Sequence, residues 1–489
     1  MKHNILSLFT VIAFLALFGS CKDFLTTGPT NNIPSDMVNT LEDAKRVVNG
    51  LYSRMKWEDY YGANMMAMGE NRADDLRPRI ETSGYVAIYQ YNFSPDINHY
   101  SGFWTRIYSI LLNANSLLEI IDNFPANSQG EIDLRNDIKG QAYAVRGLCH
   151  FDLARLYGFP YLMDNGASLG AVLATEVIPQ GEARARASVK ETYDVAINDL
   201  NESLNLLLKA RNHGHFNYWA AKALLSRVYL YKGDYDNAFK HADEILTTVG
   251  STYSLVPNED YISSWSRQDC SEMLLELLIT IPSNINDNYG VGAYFYGLTQ
   301  EPGTMVGGYL LPTAAWCSLI DEDPDDVRNG LLHISPASGD RWLRKFAGNS
   351  VTPPNYGLHN PVILRLSEVY LIASEAALMK SAPDQGKANL YLDAIRKRAN
   401  PNVPTVTATV NEVLKERRKE LGGEGHRFFD LARLGRLIDR TAPDNVLPPT
   451  SSHYLVVDPW DKVNYYKVVL PLHYVQLSVN PLGEQNPGY

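Results

Sequence analysis

The chain has 489 residues and carries 44 Lys and Arg against 55 Asp and Glu, a formal charge of −11. That acidic balance argues against a surface built to neutralise nucleic-acid phosphates, and no nucleic-acid partner is expected. With 45% hydrophobic and 20% charged residues the chain is neither disordered nor, beyond its first residues, embedded in lipid, and it is long enough to bury a large core.

Lys2 precedes a mostly apolar run from Ile5 to Phe18, too short for a membrane-crossing helix and suited to the h-region of a secretory signal over residues 1–20. The run ends Phe18-Gly19-Ser20-Cys21. A cysteine directly after small residues resembles a bacterial lipobox, in which the thiol is acylated and becomes the mature N-terminus. Ordinary cleavage near Ser20 beside an incidental cysteine is the alternative. Three acyl chains, at about 0.8 kcal/mol per buried CH₂, would give a stable anchor where a single chain is marginal. Residues 21–40, rich in Thr, Asn, Pro and Asp, read as a tether. The other cysteines, Cys149, Cys270 and Cys317, cannot all pair and show no C-x-x-C spacing, so neither a disulfide framework nor a zinc site is expected. Cys149 reads as a small helix-core residue.

From Thr40 the spacing turns helical, with Leu41, Ala44, Val47, Val48, Leu51 and Tyr52 at intervals of three and four, and Thr40 as the cap. Further helices are expected over about 102–123 and 134–157, the latter stopped by Gly158-Phe159-Pro160. Leu225, Ser226, Tyr229, Gly233, Tyr235, Ala238 and Ala242 follow the spacing of a tetratricopeptide unit, whose small residues let two helices approach across a Gly233-Asp234 turn. A similar pair occupies 364–399, where Tyr370, Ala373 and Ala377 face Ala388, Leu392 and Ile395, and another combines 134–157 with 189–208. The fold class is therefore mostly α. A bent scaffold of degenerate tetratricopeptide pairs (about 41–56, 102–157, 189–246 and 362–399) carries irregular insertions at about 57–100 and 252–361 within one domain, 41–489. Long irregular stretches inside a compact protein are usually functional loops, so function is expected in the two insertions.

Enzyme signatures mostly fail. The chain contains no H-E-x-x-H, Walker loop or G-x-G-x-x-G, and its eleven histidines lack metal-ligand spacing. Gly166-Ala167-Ser168-Leu169-Gly170 matches G-x-S-x-G, yet no buried strand precedes it as a nucleophile elbow requires. Asp321 to Asp326 has the acidic density of a calcium loop without Gly at its sixth position, and Leu332 stands where the bidentate Glu would be. A structural calcium ion stays open there beside a solvated acidic turn, and no other cofactor is expected. Asp74-Asp75 could serve glycoside hydrolysis, but neighbours in sequence rarely flank a sugar ring at the required separation. One loop-capping and one ligand-facing carboxylate is the better reading.

Glu420-Leu421-Gly422-Gly423-Glu424-Gly425-His426-Arg427-Phe428-Phe429-Asp430-Leu431-Ala432-Arg433-Leu434-Gly435 resembles the E-L-x-x-E-G-x-R-x-x-D-L-x-R-x-G signature of the SusD/RagB family, with Leu434 replacing a common aromatic. Cys21-Lys22-Asp23-Phe24-Leu25 resembles its lipidated start, and Leu470-Pro471-Leu472 through Asn486-Pro487-Gly488-Tyr489 its C-terminus, so the likeness spans the mature chain. The resemblance implies a lipid-anchored outer-membrane protein of Bacteroidetes that captures glycans, or in some members peptides, at the cell surface. Such proteins are binders rather than enzymes and act as lids on a SusC-type TonB-dependent transporter. It also implies that Arg427, Phe429, Asp430 and Leu431 are structural, with Arg427 and Asp430 pairing or capping neighbouring turns.

Family sugar contacts come from loops matching Glu70 to Asp75 with the stretch after it, and Asn288 through Tyr309. Aromatic faces stack on sugars there while Arg, Asn and Asp hydrogen-bond hydroxyls. Tyr289, Tyr294, Tyr296 and Tyr309 are the candidate platforms, and Asn64, Arg72, Asp74, Arg77 and Tyr85 the opposite wall. Trp104, Trp265 and Trp316 are expected in the core. A peptide ligand would need backbone pairing and a shallow site instead of aromatic platforms, so the Tyr-rich loop favours glycan.

Overall fold

Thr40 opens the first helix, α1 (Leu41–Met55), with a capping box: its hydroxyl accepts from the Asp43 amide at 3.1 Å, and the Asp43 carboxylate accepts from the Thr40 amide at 3.1 Å. The computed structural model describes residues 38–79, 84–96, 101–267, 269–279, 290–295, 297–301, 304–334, 339–346, 359–441, 456–461 and 468–489. The expected signal segment, Cys21, most of the tether, Tyr289 and Tyr296 lie outside the described residues.

A π turn, Glu58–Gly62, leads from α1 into α2 (Asn64–Asn71), followed by α3 (Ser101–Ile120) and α4 (Gln129–Tyr157). The sequence reading of 57–100 as irregular is corrected by α2. Its Met65, Met66, Ala67 and Met68, good helix formers with adaptable side chains, are all buried. α4 starts five residues before the first apolar residue of its stripe, Leu134, because Ser128 and Glu131 form a second capping box ahead of it. Then come α5 (Val189–Leu204), α6 (Tyr218–Lys232), α7 (Tyr235–Thr248), α8 (Leu366–Met379) and α9 (Gln385–Ala399). α4 packs on α5, α5 on α6, α6 on α7, α7 on α8 and α8 on α9, so the expected helix pairs form one continuous stack. Gly233, in the left-handed region at φ 77°, ends α6, and Asp234 caps α7, the reversal that the repeat spacing predicts. Ala377, Ala388, Leu392 and Ile395 share one buried cluster between α8 and α9.

Short antiparallel pairs join the two insertions to each other and the second insertion to this stack. β1 (Leu76–Pro78) pairs with β3 (Leu310–Pro312), and β2 (Met273–Glu276) with β4 (Val362–Arg365). Trp265, Trp316 and Cys149 are buried as expected. Trp104 packs against the main core, 5.0 Å from the Tyr157 ring, but is not enclosed by it. It is half-buried against Tyr108, with ring centroids 4.7 Å apart, and lines an open cavity of about 570 Å³ beside the C-terminal residues Val475 to Gly483.

The Glu420 to Gly435 segment, from the end of α10 (Val410–Glu420) through α11 (Arg427–Arg433), is a buried electrostatic hub. Glu420 pairs with Arg365 at 2.9 Å and with Arg398, Glu424 with Lys345 and Arg365 at 2.7 Å each, and Asp430 with Arg417 at 2.8 Å and Arg433 at 3.1 Å. Burial opposes ionisation of Glu424, but Arg365 and Lys345 outweigh it and hold the carboxyl well below its usual range. Gly425 sits at φ 83° against α2, and a Cβ on Gly69 would lie 2.0 Å from the Gly425 carbonyl oxygen, so both positions need glycine. The Gly425 amide donates to Glu70 at 2.7 Å.

Candidate functional site

The strand pair β1–β3 sets Arg77 opposite Leu311 and joins the two insertions at their centre. Beside it three tyrosine rings meet. Tyr85 lies 5.2 Å from Tyr294, edge to face, and 5.5 Å from Tyr309, while Tyr294 and Tyr309 are 5.6 Å apart. Such edge and tilted contacts suit the ring quadrupole and make a stiff cluster. Asn71, at the end of α2, donates to the Tyr85 carbonyl at 2.7 Å, and the Tyr309 carbonyl accepts from the Arg79 amide at 2.9 Å, so both flanking rings are held through their backbones.

The Tyr294 hydroxyl donates to Glu58 at 2.6 Å and lies 3.1 Å from Asn64 Oδ1. Burial pushes that hydroxyl far above the usual phenol range, so it is a fixed neutral donor. Burial also raises the Glu58 carboxyl, with the Tyr294 bond working in the opposite direction. Tyr294 is fully buried and therefore backs the cluster, a correction to its expected role as a platform, while Tyr85 and Tyr309 are half-buried and present ring surface. Glu58 escaped the sequence reading. Its signal, an acidic residue within Trp57-Glu58-Asp59-Tyr60-Tyr61, lies at the edge of the insertion.

Two expected wall residues face inward. Arg72 is fully buried, its guanidinium 3.7 Å from the Phe428 ring centroid and 3.2 Å from the Val468 carbonyl, and burial draws its pKa down to about 10. Asp74 is buried under a two-pronged pair with Arg427 at 2.7 and 2.9 Å; burial opposes its charge, but Arg427 outweighs burial and lowers its pKa. Asp75 pairs with Arg418 at 2.5 Å and is raised, chiefly by burial. Both carboxylates of the Asp74-Asp75 pair are buried and engaged by arginines, where one of them was expected to face a ligand. Arg427 and Asp430 likewise engage different partners rather than each other. Arg77 lies on β1, with the Pro78 carbonyl 3.5 Å from its Nη1. The structure thus brings Asn64, Tyr85, Tyr294 and Tyr309 together, sets Arg77 on the adjoining strand, and leaves Arg72 and Asp74 beneath.

Ser168 sits in a loop, and its neighbouring amides at 167 and 168 donate to Asp164 at 3.1 and 3.0 Å. The acidic turn is held by protein groups: Asp321 by Arg341, Glu322 by Lys415 at 2.7 Å, Asp323 by Asn400 at 2.8 Å and Asp326 by Arg328 at 2.6 Å. Among the described residues no three His, Cys, Asp or Glu side chains converge as a metal-holding group.

Residues 338–489 match the SusD family model, and residues 23–230 match a SusD-like model described as starch-binding, associating with the outer membrane. A putative sugar-binding protein from Bacteroides vulgatus ATCC 8482 is 34% identical, with 92% of this chain and 99% of that chain covered and a TM-score of 0.82. The chain belongs to the SusD/RagB family. A SusD superfamily protein from Bacteroides thetaiotaomicron VPI-5482 is 33% identical over 92% of this chain and 100% of that chain, with a TM-score of 0.84. A laminarin-binding SusD-like protein shares the fold at 21% identity, covering 92% of this chain and 100% of its own, with a TM-score of 0.72. SusD-like proteins are a carbohydrate-binding family associated with the outer membrane. Among the described residues no helix is long and apolar enough to cross a membrane.

Proposed function

We propose that this SusD-like protein is a cell-surface glycan-binding lipoprotein, anchored through acylated Cys21, that delivers oligosaccharide or polysaccharide to a SusC-type TonB-dependent transporter as its lid. The observation that carries the reading is the ring cluster of Tyr85, Tyr294 and Tyr309 at the junction of the two insertions, with Asn64 and Glu58 fixing its buried end. Half-buried rings offer apolar faces to the C–H faces of a sugar, while amide and guanidinium groups beside them hydrogen-bond hydroxyls in set directions. Tyr289 and Tyr296, on the same insertion, extend the ring supply in this reading.

The protein is a binder rather than an enzyme. A general acid or base needs a carboxylate free to reach substrate, and the Asp74-Asp75 pair is committed to Arg418 and Arg427. The laminarin-binding relative favours a glucan among the ligands to try first. A lid that must release its cargo holds it weakly, so Kd falls between about 1 μM and 1 mM, or about −8 to −4 kcal/mol. Affinity electrophoresis of the purified protein through gels containing laminarin, starch, xylan or pectin tests the reading. Retardation in at least one gel is expected. Unretarded migration in all of them, with enrichment of peptides from a protein digest, would replace glycan by peptide as the ligand.

A further inference from the structure

Trp57 is the one tryptophan among the exposed large apolar side chains of the described residues, with 56% of its surface accessible. The backbone that carries this open indole is held, and one face of its ring is covered. Its carbonyl accepts from the Tyr60 and Gly62 amides at 3.0 Å each, closing the π turn. A Cβ on Gly62 would lie 2.6 Å from the Trp57 carbonyl, so the turn tolerates no larger residue. The turn is pinned from below by the Tyr60 and Tyr61 hydroxyls, which donate to Asp152 in α4 at 2.6 and 2.8 Å.

The ring is restrained on one face. The Arg106 guanidinium lies 4.2 Å from its centroid, a cation–π contact, and is itself gripped by Asp59 through bonds of 2.9 and 3.1 Å. An aromatic surface restrained on one face loses less side-chain freedom on binding than an unrestrained one. The next residue along the chain, Glu58, is the carboxylate that receives the Tyr294 hydroxyl, so the backbone carrying the indole is tied to the ring cluster. The guanidinium beneath it already has Asp59 as counter-ion, so its charge is offset before a ligand arrives.

We propose that the exposed surface of Trp57 is a stacking platform for a neutral sugar ring, extending the Tyr85–Tyr294–Tyr309 site across Glu58. This assignment rests on the glycan-binding reading and adds to it both a contact residue and a ligand class.

Calorimetric titration of the full mature protein with laminarin, soluble starch, xyloglucan and polygalacturonate tests it. With a neutral glycan that the wild type binds, Trp57→Ala is expected to weaken binding at least tenfold with an unchanged Tm, and Trp57→Phe to weaken it less. The bound glycan should also slow oxidation of Trp57 by N-bromosuccinimide several-fold, read by peptide mass spectrometry. Trp57→Ala binding within twofold of wild type, while Tyr85→Ala abolishes binding, overturns the platform and leaves the glycan site standing. Wild-type binding to polygalacturonate alone overturns the neutral class. If none of the four binds, the glycan reading falls and the platform with it.

Discussion

Replacing Arg427 by Ala tests whether the family signature holds the fold or holds the ligand. The guanidinium grips Asp74 at 2.7 and 2.9 Å and lies 3.4 Å from Asp75, in a site where all three side chains are buried or nearly so. Its removal leaves the two carboxylates with Arg418 alone, which reaches Asp75 at 2.5 Å and Asp74 only at 3.8 Å. Stripping one partner from a buried pair costs about 3–5 kcal/mol, because the remaining charge loses its compensation. An unfolding entropy of about 2.1 cal/mol/K per residue, taken over 489 residues, gives about 1 kcal/mol per degree. The expected fall in Tm is therefore about 3–5 °C by differential scanning calorimetry, with glycan affinity of the folded protein unchanged. Because Arg427 holds the Asp74 carboxyl below its unfolded value, the pair's contribution is present above the unfolded pKa and lost as pH falls through the lower folded one. The gap between variant and wild type should accordingly narrow in acid. The double variant Arg427→Met with Asp74→Leu should recover part of the loss, since replacing both partners avoids an orphaned charge. A single variant as stable as wild type, or one that loses binding at unchanged Tm, would refute the structural assignment.

Tyr294→Phe removes the donor to Glu58 and should destabilise by about 1–2 kcal/mol in urea unfolding, with a weaker ligand site as the second effect. Glu70, raised to about 8 by burial foremost and by Asp75, keeps a proton in the folded protein that the unfolded chain releases near 4.5. The stability this provides is complete below about 4.5 and is lost as pH rises toward 8, so urea midpoints of Glu70→Gln at pH 6 and pH 9 should differ less than those of wild type. Cys21→Ala should release the protein from membrane fractions, and retention after a high-salt wash without a partner would contradict acylation there.

The helix pairs were legible because their information is local: small residues at three- and four-residue spacing, and a Gly233-Asp234 reversal, carry the packing whatever lies elsewhere in the chain. The ring cluster was partly legible, since Tyr85, Tyr294 and Tyr309 stand in Gly- and Asn-rich stretches that no helix pattern claims. Arg72 and Asp74 misled for the same reason. Charged residues beside a loop read as solvent-facing, but the groups that bury them, Phe428 and Arg427, lie far along the chain, the Arg427 to Asp74 bond spanning 353 positions. Glu58 was invisible in the same way, because its partner Tyr294 is 236 positions distant. Trp104 occupies an apolar helix position, yet the wall it faces is a short C-terminal helix that leaves a cavity rather than closing a core.

The central claim is that Tyr85 and Tyr309 present a sugar-binding surface where the insertions meet. Calorimetric titration of wild type and of the Tyr85→Ala, Tyr309→Ala double variant with one polysaccharide, chosen from a binding panel, tests it most directly. The account predicts a Kd between about 1 μM and 1 mM for wild type and no measurable heat for the variant, at a Tm within a few degrees. Equal binding by the two proteins would contradict it.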